Sequence, residues 1–229
     1  RMDNGEIARP QSEGLTNNHV HTIYSFSPYS PSMAVWKAVQ SGLATVGIID
    51  HDSVGGAEEF IRAGQIAGIA TTTGFEIRTD WSATPLAGRR LNNPDQLSSG
   101  YITAAGLPRN RIADAGAFLT PLRAARNLRN RRMLERLNAI IAPFDLAVDF
   151  DADVLPLSKA AEGGGVTERH LLFALADELI ARFGASGALA DFVAVQLKIA
   201  LSAKQRAMLA DADSGIIAYD LLGMLKGSF

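Results

Sequence analysis

Residues 43–52 read LATVGIIDHD, and this stretch decides how the first third of the chain folds. Its apolar, β-branched run is nearly continuous from Leu43 to Asp50, which is typical of a strand covered on both faces. Ionisable residues follow directly where that run ends. The stretch therefore predicts a buried parallel strand with Asp50, His51 and Asp52 at its carboxyl end.

Strand-like and helix-like stretches alternate on both sides of this strand. Pro31 near the start of one helical stretch and Gly42 just past its end are residues that usually mark those positions. The alternation predicts βαβ units and a parallel sheet, and hence an α/β fold. The predicted strands are 18–24, 43–50 and 69–77, and the predicted helices between them are 33–40 and 58–66.

The pattern changes after Asp80. Gly, Pro, Asn and Ser are frequent in residues 81–112, which predicts an irregular connecting segment. Residues 113–229 are helical in pattern and poor in strands, and Thr167 is a good N-cap for one of the helices. We therefore expect an α/β segment at 13–80, a connection at 81–112, and a helical insertion or second domain at 113–229. The predicted helices are 113–142, 167–183 (with an apolar stripe of Leu172, Leu175, Leu179 and Phe183) and 187–210.

Composition limits the chemistry of the chain. It has 229 residues, a formal net charge of -2 and no cysteine, so thiolate metal sites and disulfides are excluded. The charge leaves nucleic-acid binding open. No run of about 18 apolar residues occurs, and residues 1–12 lack the apolar stretch of a signal peptide. We expect a cytoplasmic protein without a membrane span.

Candidate metal ligands lie at the ends of the three predicted strands. His19 and His21 are two residues apart in one strand, so both imidazoles point to the same face. Asp50, His51 and Asp52 follow the second strand, and Glu76 ends the third. The carboxyl ends of strands in βα barrels meet on one face, where active sites form. Each group alone also fits ordinary histidines or helix-capping turn residues.

Four motifs together resemble those of the polymerase and histidinol phosphatase (PHP) family. They are residues 18–22 (NHVHT), 48–53 (IIDHDS), 56–60 (GAEEF) and 74–78 (GFEIR). The resemblance implies the N-terminal part of a distorted (β/α) barrel, followed here by a mainly helical segment. It also implies that His19, His21, His51 and Glu76 bind divalent metal ions, and that Asp50 orients His51 from outside the ligand set.

The chain also departs from the family pattern. Many members have a further ligand shortly after the first motif, where this chain has Tyr24-Ser25-Phe26-Ser27, and later histidine ligands are not evident. The one later histidine, His170, lies in the first turn of a predicted helix, where a capping or surface role is expected. These gaps, and the ending at Phe229, lead us to expect a fragment whose barrel continues further.

The resemblance implies a metal-dependent hydrolase. Members of this family include phosphoesterases, so the expected reaction is phosphoester hydrolysis by metal-activated water with Zn, Mn or Fe. A phosphorylated small molecule or nucleotide is the expected substrate. No general acid, substrate-binding residue or oligomeric state is predicted. The alternatives are a metal-dependent amidohydrolase, and a non-catalytic binding or scaffolding module with a vestigial metal site.

Two further features have more than one interpretation. An arginine-rich run could hold phosphate through its guanidinium groups, or could be a solvated helix face that pairs with the acidic residues 145–153. Gly163-Gly164-Gly165 is interpreted as a flexible connection because no P-loop pattern surrounds it. The arginines of the run are Arg109, Arg111, Arg123, Arg126, Arg129, Arg131, Arg132 and Arg136.

Overall fold

The computed structural model describes residues 10–11, 14–93 and 96–227. Residue 13, the predicted start of the α/β segment, lies outside the described residues, as do residues 1–9, 12, 94–95 and 228–229. The chain divides into two compact units. Unit 1 comprises Arg1–Ala125 with Ser158–Gly165, and unit 2 comprises Arg126–Leu157 with Val166–Phe229.

Unit 1 is built on a four-stranded sheet in the order β1-β2-β3-β4. The first three strands are mutually parallel, so the predicted α/β class and its βαβ units are confirmed. β1 ends before the predicted Tyr24, because the chain turns there: the Ser25 amide donates to the Thr22 carbonyl and the Ile23 amide to the Tyr29 carbonyl. The strands are β1 (Thr16–Val20), β2 (Thr45–His51), β3 (Ala70–Asp80) and β4 (Ser99–Ala105).

The fourth strand corrects the prediction of an irregular segment at 81–112. β4 pairs antiparallel with β3, so that Arg78 lies opposite Tyr101 and Glu76 opposite Thr103. Its β-forming run, Tyr101 to Thr103, is short and lies among turn-forming residues. Residues 102–105 of β4 are exposed, and Ile102 keeps 42% of its surface exposed. A short strand of this kind has no periodic pattern long enough to recognise.

Two helices connect the parallel strands and cover one face of the sheet. They are α1 (Pro31–Gln40) and α2 (Ala57–Ala67). The Ser30 hydroxyl caps α1 by accepting from the Met33 amide, and Gly68 ends α2 with a positive φ of 65°. Their apolar sides pack on the sheet in a cluster of Ala34, Val35, Ala38, Val39, Val46, Ile48, Phe60 and Ile69.

The alternation of side chains separates a packed face of the sheet from a face that carries ionisable groups. Ile48 in β2 packs with the helices, and Phe75 in β3 packs with Leu119 of the next helix. His51 lies three residues after Ile48, and Glu76 lies one residue after Phe75. Because successive residues of a strand alternate between faces, both belong to the opposite face. The sheet thus presents its candidate ligands on the side away from the helices.

Unit 2 consists of helices, and the described residues after 113 contain no strand. Three of the four residues of the stripe predicted for the helix at 167–183, Leu172, Leu175 and Leu179, are buried, and the fourth, Phe183, is half-buried. The predicted helix 187–210 is interrupted instead by a π-helical turn at Phe192–Gln196. The helices that follow α2 are α3 (Ile112–Ile141, which begins in unit 1), α4 (Glu168–Phe183), α5 (Gly187–Asp191), α6 (Ala203–Leu209) and α7 (Ile217–Lys226).

None of the helices among the described residues has the length and apolar character required to cross a membrane.

His170 has a capping role in unit 2, and it is buried rather than at the surface. Its Nδ1 accepts a hydrogen bond from the Thr167 amide at 2.9 Å, which completes a capping box at the start of α4. The side chain is 2% exposed. Burial lowers the pKa of His170 from 6.5 to about 4, so the ring is neutral near pH 7.

We predict that this histidine makes unit 2 sensitive to acid. The unfolded chain binds a proton below pH 6.5 that the folded chain excludes until about pH 4. Stability should therefore fall as the pH is lowered through that window, by up to about 3 kcal/mol. His170→Gln keeps a capping-box residue that does not titrate. Urea unfolding followed by circular dichroism from pH 7 to pH 4 should give a steeper decline for the natural chain, and parallel declines would contradict the prediction.

Candidate metal centre

Three imidazoles converge on one carboxylate oxygen in unit 1. Glu76 Oε2 lies 3.5 Å from His19 Nε2, 3.9 Å from His21 Nε2 and 3.4 Å from His51 Nδ1. The His21 and His51 rings stack with centroids 4.6 Å apart, and the His19 ring meets that of His21 edge-on at 5.1 Å. The structure thus brings together all four side chains that the sequence singled out as ligands.

The strand register explains why these residues meet. His51 is the last residue of β2 and pairs directly with Glu76 of β3, so their side chains lie side by side on one face. His19 lies in the neighbouring β1, and His21 lies just beyond its end. The carboxyl ends of the parallel strands lie next to one another, so these residues meet although they are up to 57 residues apart in sequence.

The geometry fits a divalent ion. Ligands about 2.0–2.1 Å from a tetrahedral ion are about 3.3 Å apart, close to the separations of Glu76 Oε2 from His19 and His51. One donor atom each from His19, His21 and Glu76 lie within 4.8 Å of one another, and His51 adds a fourth through its contact with Glu76. Imidazole and carboxylate donors without thiolates suit Zn, Mn or Fe.

Asp50 has different partners from the one that the sequence predicted. Its Oδ1 accepts from the Thr22 amide and the Ser25 hydroxyl, and its Oδ2 accepts from the Thr22 hydroxyl, all at 2.6 Å. Because Asp50 precedes His51 in the strand, it belongs to the opposite face. Burial raises the pKa of the Asp50 carboxyl, and the hydrogen bonds from Ser25 and Thr22 oppose that shift. The contacts of Asp50 fix the turn after β1, next to His21.

A short segment of unit 1, Ser158–Gly165, lies beside the ligand-bearing strand ends. The Ser53 hydroxyl donates to the Gly163 carbonyl at 2.7 Å, and the Gly165 amide donates to the Tyr24 carbonyl at 2.7 Å. A Cβ on Gly165 would lie 2.7 Å from the His51 carbonyl oxygen. The glycine run predicted to be a flexible connection is therefore held closely against residues next to the candidate ligands.

Arg123 contacts the backbone near the site. The sequence analysis included it in the arginine run but gave it no separate role. Its Nη1 donates to the Asp52 carbonyl at 3.1 Å, directly after His51. Asp52 has a positive φ of 51°, which is uncommon for a residue other than glycine. Burial lowers the pKa of the Arg123 guanidinium, and the charge of Asp52 acts in the opposite direction.

The rest of the arginine run includes ordinary ion pairs. Arg109 pairs with Glu58, and Arg111 pairs with Asp114 three residues along the chain. Arg131 pairs with Asp151, as the interpretation with the acidic stretch 145–153 expected. These exposed pairs favour a solvated surface over a phosphate site for these three arginines.

Tyr101 is a second neighbour of the cluster that sequence reasoning missed. Its ring lies 5.7 Å from that of His51, centroid to centroid, at an interplanar angle of 55°. Tyr101 comes from β4, the strand that was predicted as irregular. The run Tyr101 to Thr103 was the available signal, since aromatic and β-branched residues favour strands.

Comparison of the sequence with known proteins gives one short match. No family model matches the chain. Over 63 residues it is 35% identical to a 5'-3' exoribonuclease from Haemophilus influenzae, which amounts to 28% of this chain and 23% of that protein. The match covers less than a quarter of the relative.

Comparison of the fold gives longer matches, and two of them are described here. An amidohydrolase from Chromobacterium violaceum, solved with sulfate and no metal, superposes with a TM-score of 0.53 at 23% identity over 71% of this chain and 49% of that one. A protein from Bifidobacterium adolescentis, provisionally named a metal-dependent phosphoesterase, superposes with a TM-score of 0.53 at 24% identity over 96% of this chain and 65% of that one. The chain spans less than two thirds of both proteins, and the likeness shows a shared fold.

We predict that Asp50→Ala destabilises unit 1 by about 3 kcal/mol, because it leaves buried donors of Thr22 and Ser25 without their acceptor. Asp80→Ala is the matched control, since Asp80 is exposed and its carboxylate caps the local turn at Ser82. Its expected cost is much smaller than that of Asp50→Ala, because solvent replaces the contacts of an exposed carboxylate. Urea unfolding of both variants measures the difference, and equal costs would show that Asp50 does not hold the turn.

Gly165→Ala should also be destabilising, because the new methyl group would meet the His51 carbonyl. We expect a loss of about 1–3 kcal/mol, the range typical of overpacking. Gly187→Ala serves as the control, since nothing lies within 4 Å of a Cβ there. The thermal midpoints of the two variants provide the comparison. A Gly165→Ala midpoint at or above that of the control would mean that the close approach is absent.

Proposed function

We propose that this chain contains the first motifs of a PHP-type domain and acts as a metal-dependent phosphoesterase. The observation that carries the proposal is the convergence of His19, His21 and His51 on Glu76, with donor separations of 3.4–3.9 Å. Three imidazoles around one carboxylate supply nitrogen and oxygen donors to a divalent ion. His19, His21, His51 and Glu76 would hold the ion, and the chemistry it would supply is activation of a water molecule as the hydroxide nucleophile.

The residues of the chain position that chemistry. His51 and Glu76 are held by the paired strands, and His21 is held beside the turn that Asp50 secures. The donors are thus fixed before a ligand arrives, which reduces the cost of assembling the site. A phosphorylated small molecule or nucleotide is the proposed substrate.

The comparisons support this proposal at different levels. Of two solved structures of similar fold, one is named an amidohydrolase and the other is provisionally named a metal-dependent phosphoesterase. The short match to a protein named as an exoribonuclease is consistent with a phosphodiester or nucleotide substrate. These names describe those proteins, and we extend to this chain only the reaction class that its donor set can support.

Amide hydrolysis is the second candidate. The fold likeness to a protein named an amidohydrolase favours it, and the same donors could activate water toward a carbonyl carbon. Turnover of aryl phosphates against cyclic amides separates the two reactions. Metal binding without turnover of either substrate class would indicate the non-catalytic alternative.

We predict that the natural chain binds Mn²⁺ or Zn²⁺ and hydrolyses p-nitrophenyl phosphate, while Glu76→Gln and His19→Ala lose both properties. Loss of a direct ligand should weaken metal affinity at least about tenfold, because changes to outer residues alone cost that much.

Metal content by mass spectrometry and turnover of the aryl phosphate are the measurements. Glu135→Gln on α3 is the matched control, because Glu135 is exposed and belongs to unit 2. Metal content that is unchanged in both ligand variants would refute the proposed centre. Retained metal binding without hydrolysis by the natural chain would refute the proposed reaction.

A further inference from the structure

We propose that Arg78 and Tyr101 form a substrate subsite beside the candidate metal centre, in which Arg78 binds an anionic group and Tyr101 packs against a flat ring. The ligand class is a nucleoside monophosphate. This inference rests on the proposed function for the identity of the reaction, but the subsite itself is defined by residues outside the ligand set.

The pairing of β3 with β4 places both residues on the face that carries Glu76. Arg78 follows Glu76 by two residues in β3, so both side chains belong to the same face. Tyr101 lies directly opposite Arg78 in β4, and directly paired residues share a face. The contact between the Tyr101 and His51 rings independently places Tyr101 at the cluster.

Arg78 has donors left for an anion. Its Nε donates to the Ser99 hydroxyl at 2.8 Å and its Nη2 donates to the Gln96 side-chain oxygen. Both partners are neutral, and these two bonds use two of the five guanidinium N–H groups. Among the described residues no ion pair within 4.0 Å involves Arg78. The neutral hydrogen-bond partners hold the guanidinium in place. The exposed Asp80 carboxylate interacts with the charge of Arg78 but forms no ion pair with it within 4.0 Å, so N–H groups of Arg78 remain for a phosphate.

Tyr101 supplies an aromatic surface that is anchored and only partly covered. The side chain of Asn92 accepts from the Tyr101 amide and donates to its carbonyl, both at 2.8 Å, so the backbone is held on both sides. The residue is half-buried. A ring fixed in this way can stack on a nucleobase with little loss of side-chain freedom.

The spacing of the subsite assigns it to a part of the substrate away from the reacting bond. Two residues along β3 correspond to about 7 Å from Glu76, and Arg78 is held toward Ser99, further along the sheet. The metal centre and Arg78 therefore contact different groups of one ligand. A phosphate ester of a ringed molecule fits this arrangement better than a small alkyl phosphate.

The test is calorimetric titration of the full chain in excess EDTA, so that its outcome does not depend on metal loading or turnover. The probes are adenosine 5'-monophosphate and ribose 5-phosphate. The natural chain should bind the nucleotide about tenfold more tightly than the sugar phosphate, the advantage expected from stacking one base. Arg78→Gln should weaken both ligands about tenfold, since each loses a charged contact.

Variants of Tyr101 separate the ring from its hydroxyl group. Tyr101→Leu should abolish the preference for the nucleotide, whereas Tyr101→Phe should keep it. Arg78→Lys tests whether charge alone suffices, and Arg62→Gln, at an exposed arginine of α2, is the control that should change nothing. Far-ultraviolet circular dichroism of each variant shows that it is folded.

The inference is overturned if the natural chain binds neither probe, or binds both equally, or if folded Arg78→Gln and Tyr101→Leu variants bind as the natural chain does. Failure of the proposed function gives a different result. In that case metal binding and hydrolysis are absent, while binding of the nucleotide in EDTA still depends on Arg78 and Tyr101.

Discussion

The lateral pairing of β2 with β3 is the constraint on which the rest of the candidate site depends. In this register His51 lies beside Glu76 and Asp50 lies beside Phe75. A slip of one residue would move the Glu76 carboxylate to the helix-covered face, because the side-chain period of a strand is two. The apolar packing of Ile48 and Phe75 opposes that slip. The hydrophobic core therefore determines where the ionisable groups meet.

The same pairing gives the adjacent residues Asp50 and His51 different roles, because their side chains point to opposite faces of the sheet. His51 faces the cluster, whereas Asp50 faces the turn after β1 and accepts three hydrogen bonds there. A buried carboxylate without partners is costly, and these donors offset that cost while they fix the backbone next to His21. The sequence motif at 50–51 thus combines one candidate ligand with one residue that holds the neighbouring strand end.

Much of unit 1 could be predicted from the sequence because its signals are local. The apolar run before Asp50, the spacing of His19 and His21, and the proline and glycine that mark α1 each depend on a few consecutive residues. The candidate ligands could be grouped because parallel strands end at a common edge.

The features that were missed depend on contacts between distant parts of the chain. The β-forming run of β4, Tyr101 to Thr103, is too short to show a period, and its partner strand β3 ends about 20 residues before β4 begins. The partners of Asp50 follow from the backbone turn at Thr22. The role of Gly165 follows from the approach of a segment more than 100 residues after His51, which composition alone does not indicate.

The segment Ser158–Gly165 also affects the order in which unit 1 can fold during synthesis. Unit 1 is discontinuous, because residues 126–157 of unit 2 separate this segment from the remainder of unit 1. A nascent chain that has emerged only as far as Ala125 therefore lacks the contacts to Ser53 and Tyr24. During synthesis, the contacts around the ligand-bearing strands can form only after residues 158–165 have left the ribosome. Because unit 1 is discontinuous, cleavage of one peptide bond cannot separate the two units as complete pieces.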